Sequence, residues 1–123
     1  ADIKTAGVLD ALRAEDGLPR LSQNDDLQRA AFAHAEDMLR NSYFSHTGSD
    51  GSTVADRVSR TGYQWCYVAE NIAQGQKDLT EVMKAWVRSP GHRSNLLSES
   101  VREFGLAEGP GYIWVIVLAA RTC

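Results

Sequence analysis

The sequence predicts an α+β domain layered helix-sheet-helix, with a small and mostly antiparallel sheet. Two observations carry that prediction. Helical and strand-like segments follow one another as helix, helix, strand, helix, strand, strand, without the regular βαβ alternation of a doubly wound sheet. In addition, the run Ile113-Trp114-Val115-Ile116-Val117-Leu118 does not alternate apolar with polar, so both faces of that strand must be covered. With 123 residues the chain, 1–123, is read as one domain.

Residues 3–15 place Ile3, Ala6, Val8, Leu9, Ala11 and Leu12 at helical spacing, and Gly17 and Pro19 stop that helix. The clearest helix is Asp25–Arg40. Leu27, Ala30, Ala31, Ala35 and Met38 share one face, while Arg29, Glu36, Asp37 and Arg40 occupy the other. A turn-rich segment, S-H-T-G-S-D-G-S, follows, and residues 53–60 read as a short helix ending at Gly62. Residues 68–73 form a short strand. Asp78 and Glu81 make a capping-box pattern that opens a helix through Val82, Ala85 and Trp86. Ser89-Pro90-Gly91 ends it, and Pro90 suits the first position of the next short helix. Residues 103–107 and 112–121 read as two strands of a hairpin turned by Glu108-Gly109-Pro110-Gly111.

Composition narrows the function classes. Thirteen Lys and Arg stand against 16 Asp and Glu, a net charge of −3, so the basic footprint of a nucleic-acid binder and a polybasic membrane anchor are both absent. The hydrophobic fraction of 43% against 24% charged residues is a globular balance and argues against disorder. The longest apolar run, Ile113–Ala120, falls well short of the roughly 20 residues of a spanning helix, so no membrane span is expected. Cys66 and Cys123 have no metal-binding spacing. They are read as one disulfide, against the alternative of two free buried thiols, and closure of so long a loop is worth ~4 kcal/mol in the chain-entropy account. The chain starts at Ala1 with no signal-like segment, which reads as a mature form lacking its signal peptide, and an extracytoplasmic home, secreted or periplasmic, is expected.

Three histidines are present. His34 falls on the apolar face of the second helix and is read as a packed or hydrogen-bonded core imidazole. His46 and His92 sit in turn-rich segments, Phe44-Ser45-His46-Thr47-Gly48 and Ser89-Pro90-Gly91-His92-Arg93, where core filling is a weaker explanation. Together with a carboxylate, two neutral imidazoles suit a divalent metal. Glu70, flanked by apolar residues in Ala69-Glu70-Asn71-Ile72, is the candidate, because burying it unpaired is costly; its alternative is a solvated edge-strand residue. Glu81 is explained as a helix cap. No GxSxG, HExxH, Walker loop or GxGxxG occurs, and Cys66 lacks an activating base in its sequence neighbourhood, so no catalytic residue is assigned.

Three segments then resemble one family in order and spacing: Tyr43-Phe44-Ser45-His46-Thr47, Ala69-Glu70-Asn71-Ile72-Ala73, and the stretch from Ala85-Trp86-Val87-Arg88-Ser89 through Pro90-Gly91-His92-Arg93 to Ser94-Asn95-Leu96-Leu97. They are similar to the CAP superfamily of cysteine-rich secretory, antigen 5 and pathogenesis-related 1 proteins, in its compact bacterial SCP-like extracellular branch. The likeness extends over nearly the whole chain, from Gly17-Leu18-Pro19-Arg20-Leu21 to Phe104-Gly105-Leu106 and Trp114-Val115. It implies an α-β-α sandwich with a cleft of His46, Glu70 and His92, in which His46 and His92 would hold Zn2+. Many relatives carry a second glutamate where this chain has Ser89, so that cleft is incomplete here. The family often has several disulfides, whereas this chain can form only one.

Members have been associated with metal binding, lipid or sterol binding, envelope interactions and proteolysis, and fold alone does not choose among these. The expectation is a non-enzymatic binding module that takes a metal and a ligand, a lipid or a cell-envelope component. The alternatives are a zinc-dependent, peptidase-like hydrolase using Glu70 as ligand or base, and a protein-interaction domain with a vestigial cleft.

Overall fold

The periodic segments become five α-helices and a four-stranded sheet in the computed structural model, which describes residues 3–123. The helices are α1 (Ile3–Glu15), α2 (Asp25–Arg40), α3 (Val54–Arg60), α4 (Leu79–Arg88) and α5 (Pro90–Leu96). The strands are β1 (Ser22–Gln23), β2 (Tyr67–Gln74), β3 (Glu103–Gly109) and β4 (Ile113–Ala120). They lie in the order β1-β3-β4-β2; β1 runs parallel to β3, and the other pairings are antiparallel. The mixed α+β fold, with a mostly antiparallel sheet between helices, is the one expected. The parallel two-residue β1 was not expected. Two residues are too few to carry a period, and Ser22 and Gln23 join the sheet only because β3 offers them a free edge.

The central strand β4 explains the layering. Trp114, Ile116 and Leu118 enter one apolar cluster with Leu9, Val82, Trp86 and Leu96. Alternate residues Ile113, Val115, Val117 and Ala119 enter the other, with Leu27, Ala31, Ala35, Met38 and Val58. All eight residues of β4 are buried, as a strand covered on both faces must be.

Local signals set the helix ends. The Asn24 side chain accepts from the backbone N–H groups of Asp26 and Leu27 to cap α2. Thr53 and Asp56 form a full capping box on α3, and Asp78 caps α4 through Glu81 N–H. Pro90 stands at the start of α5.

Helix α2 lies close on β3. A Cβ at Gly105 would come within 2.3 Å of the Gln28 backbone nitrogen, so only glycine permits that approach. There the Gln28 carboxamide donates to the Leu106 carbonyl and accepts from the Leu106 N–H, an edge-on clamp between helix and strand. The hairpin turn is longer than the sequence suggests. A single 3-10 turn, Pro110–Tyr112, contains Gly111 and Tyr112, both at positive φ, so Tyr112 belongs to the turn and β4 starts at Ile113.

Cys66 and Cys123 are disulfide-bonded, with Cα atoms 5.8 Å apart. The Cys66 N–H also donates to the Ala120 carbonyl, so the bridge continues the β2–β4 pairing.

Candidate functional site

Glu70 lies in the middle of β2 with its side chain 1% exposed, and both of its oxygens are engaged. Oε2 accepts from Arg57 Nη2 at 2.8 Å, and Oε1 accepts from His46 Nδ1 at 2.9 Å. Because a carboxylate only accepts, Nδ1 carries the His46 proton, and Nε2 of the neutral ring is left bare. The charge-assisted bond to Glu70 raises the His46 pKa above the ordinary imidazole value, against its partial desolvation. The His46 ring itself is 57% exposed, so it forms the solvent side of the site.

The loop that presents His46 is tied at two points. His34 is fully buried and its Nε2 lies 2.7 Å from the Ser45 carbonyl, so the packed core imidazole read from the sequence also anchors the residue before His46. Beyond it, the Ser49 N–H and hydroxyl both donate to Asp37 on α2, and the Gly48 N–H donates to the Ser52 carbonyl. These bonds and that of Tyr43 hold the Asp37 carboxyl well below the usual range and push the Tyr43 phenol, through burial and the Asp37 contact, up to about 12.

His92 comes from the first turn of α5. The fully buried Asn71, next to Glu70 in β2, donates through Nδ2 to the His92 carbonyl at 3.0 Å. Asn95 on α5 donates in turn to Asn71 Oδ1 at 2.9 Å. On the same strand the Ile72 carbonyl accepts from Trp86 Nε1, which fixes α4 and so the start of α5. Burial, and then the nearby charge of His46, lower the His92 pKa, which places the two imidazoles within electrostatic reach of each other. His92 is therefore held neutral and available to a ligand, while His46 is the more basic ring. Ser89 links α4 to α5 without a side-chain cap bond, and it brings no carboxylate to the cleft.

Arg57 escaped the sequence reading. Val54, Arg57 and Val58 share a face of α3 by their spacing, so a cation on an apolar face was the available signal. The site can therefore position and tune an imidazole, but Glu70 has no free oxygen to offer. A zinc ion, implied by the resemblance, finds donors in His46 Nε2 and His92. Among the described residues no group of three or more His, Cys, Asp or Glu side chains is placed to hold a metal. The residues fit a two-imidazole site completed by water, with Glu70 orienting His46 as carboxylates orient metal-binding histidines.

Residues 7–113 match the family described as the cysteine-rich secretory protein family, CAP. The chain is 34% identical over 112 residues to the uncharacterized protein YkwD of Bacillus subtilis (strain 168), covering 90% of this chain and 44% of that protein. It superposes with a TM-score of 0.90, at 28% identity, on an extracellular protein of Bacillus anthracis str. Ames that contains an SCP domain, covering 94% of this chain and 39% of the other. An outer surface protein of Borrelia burgdorferi shares the fold, with a TM-score of 0.86 at 24% identity over 95% of this chain and 90% of that one. The chain thus spans less than half the length of the first two of these proteins. Sequence and architecture agree that the chain belongs to the CAP superfamily, the cysteine-rich secretory protein family.

Proposed function

We propose that the chain is an extracytoplasmic binding domain that uses the cleft around His46, Glu70 and His92 for a ligand, with Zn2+ held weakly by the two imidazoles, rather than a hydrolase. The observation that carries this reading is the closure of Glu70 between Arg57 and His46. A general base needs a free lone pair aimed at its proton, and both Glu70 oxygens already accept from cations. Glu70 serves instead to fix the His46 ring and its proton. When bound, zinc would supply a Lewis-acidic centre that polarises a ligand oxygen. The protein's part is to keep His92 neutral and to present Nε2 of His46 outward. The extracellular and outer-surface origins of the Bacillus anthracis and Borrelia burgdorferi proteins support the location, and the disulfide suits an oxidising compartment. The ligand class proposed is a lipid or a cell-envelope component. No helix among the described residues is long and apolar enough to cross a membrane.

Zinc calorimetry at pH 7.5 tests the cleft. One weak site is expected in the wild type and none in His46→Ala or His92→Ala, with circular dichroism unchanged. Zinc binding that survives both substitutions overturns the assignment. Hydrolysis of peptides or peptidoglycan that disappears in folded His92→Ala overturns the non-enzymatic reading.

A further inference from the structure

A cavity of about 380 Å³ opens between α2, α3 and the loop around residues 49–52, walled by Ala33, His34, Asp37, Asp50, Arg57 and Arg60 among others. None of His46, Glu70 and His92 lines it. Its volume lies at the small end of the ~300–1,000 Å³ typical of small-molecule sites. Two buried polar atoms of its wall residues have no hydrogen-bond partner among the described residues, His34 Nδ1 and Arg57 Nε. His34 is 1% exposed and Arg57 8%. Left unpaired, each such atom costs about 1–3 kcal/mol.

Their chemistries are opposite. His34 Nε2 faces the Ser45 carbonyl and so carries the proton, which leaves Nδ1 of the neutral ring as a bare acceptor. Burial lowers the His34 pKa and favours that neutral ring. Arg57 Nε–H can only donate. An anion has acceptors for Arg57 but only lone pairs to set against Nδ1. An ammonium group can donate to Nδ1 but meets the Arg57 charge. A hydroxyl donates and accepts, so it alone of the three suits both atoms.

Charge balance points the same way. Each cavity arginine already has a carboxylate: Arg57 pairs with Glu70, Arg60 with Asp50 and Arg29 with Asp26. Asp37 adds a further negative charge to the wall. The cavity therefore has no surplus positive field to draw an anion. We propose that it is a second binding site, distinct from the histidine cleft, for a neutral hydroxyl-rich ligand the size of one or two sugar rings.

Nitrogen-15 NMR of the intact chain, titrated separately with methyl glucoside, cellobiose and sulfate, tests the proposal. Saturable shifts of the His34 ring nitrogens and of the Ala33, Ser52 and Arg57 amides are expected with the sugars and not with sulfate. Ala33 is an exposed wall residue, so Ala33→Trp should fold normally, fill the cavity mouth and weaken sugar binding about tenfold or more. His34→Leu, which removes the acceptor, should weaken it similarly. Sulfate shifting the same residues more strongly, sugar shifts that persist in Ala33→Trp, or no shift at all, as for a cavity that holds only water, each overturns it.

Discussion

Replacing Arg57 by methionine isolates the pair on which the cleft rests. Methionine keeps much of the apolar stem that packs on α3 but removes the bond to Glu70 at 2.8 Å and the bond to the Ser52 carbonyl at 3.0 Å. Glu70, 1% exposed, then keeps only the His46 contact. Removing one partner of a buried pair costs ~3–5 kcal/mol, because the surviving charge stays out of water. At roughly 3–5 °C per kcal/mol for a domain of this size, Tm should fall by about 10–20 °C in a calorimetric melt at pH 7. A double-mutant cycle with Glu70→Gln separates the pair from the sites. If the ion pair is what is lost, Arg57→Met/Glu70→Gln should be less destabilised than the sum of the singles, by ~0.5–3 kcal/mol. A Tm drop of only a few degrees in Arg57→Met, or strict additivity in the cycle, would refute the role given to this pair.

Two further outcomes follow from the covalent link and from the histidines. Cys123→Ser opens a loop of 57-residue separation and should cost ~4 kcal/mol of unfolding free energy, measured by denaturant titration; a loss below ~1 kcal/mol would show that the bridge leaves the unfolded chain nearly unrestrained. Ring NMR titration should give His46 the highest histidine pKa, with His34 and His92 below the ordinary value near 6.5. The signs differ for stability. The raised His46 pKa contributes below about pH 6.5 and loses that contribution as pH rises through the folded pKa, whereas His34 and His92 oppose folding as pH falls from about 6.5 through their depressed values. Melts of His34→Leu should accordingly lose less stability on acidification than the wild type, and an unchanged acid slope would count against a buried neutral His34.

Legibility in the sequence followed the length of the signal. The buried face of α2, read from Leu27, Ala30, Ala31, Ala35 and Met38, is the face the fold buries, because sixteen residues carry the 3.6 period clearly. The unalternating run in β4 announced a two-sided sheet for the same reason. What escaped depends on partners distant in sequence. Arg57 and Glu70 are 13 positions apart, and the Asn71–Asn95 bond that holds α5 to β2 spans 24, so no local pattern reveals either. His34 was placed on the core side, but its grip on Ser45 depends on how the loop after α2 folds back. In the cleft, the residue types at His46, Glu70 and His92 were visible; that Glu70 is saturated was not.

That saturation makes the pH dependence of zinc binding informative. Glu70 favours positive charge at His46, whether a proton on the ring or a metal at Nε2, while Arg57 weakens that preference; the same opposition sets the His46 pKa. Glu70→Gln removes the carboxylate's field and the bond that orients the ring. At pH 8, where His46 is largely neutral in both proteins, proton competition plays little part and the substitution should weaken zinc binding ~10-fold or more, the usual cost of losing a carboxylate behind a histidine ligand. Near pH 6 the wild-type ring is more often protonated than the variant's, so the wild type suffers a larger competition penalty. The gap between the two affinities should therefore narrow as pH falls. Parallel profiles would mean that Glu70 does not set the protonation of the ring that binds zinc. A gap that widens on acidification would mean that His46 is not the ligand at all.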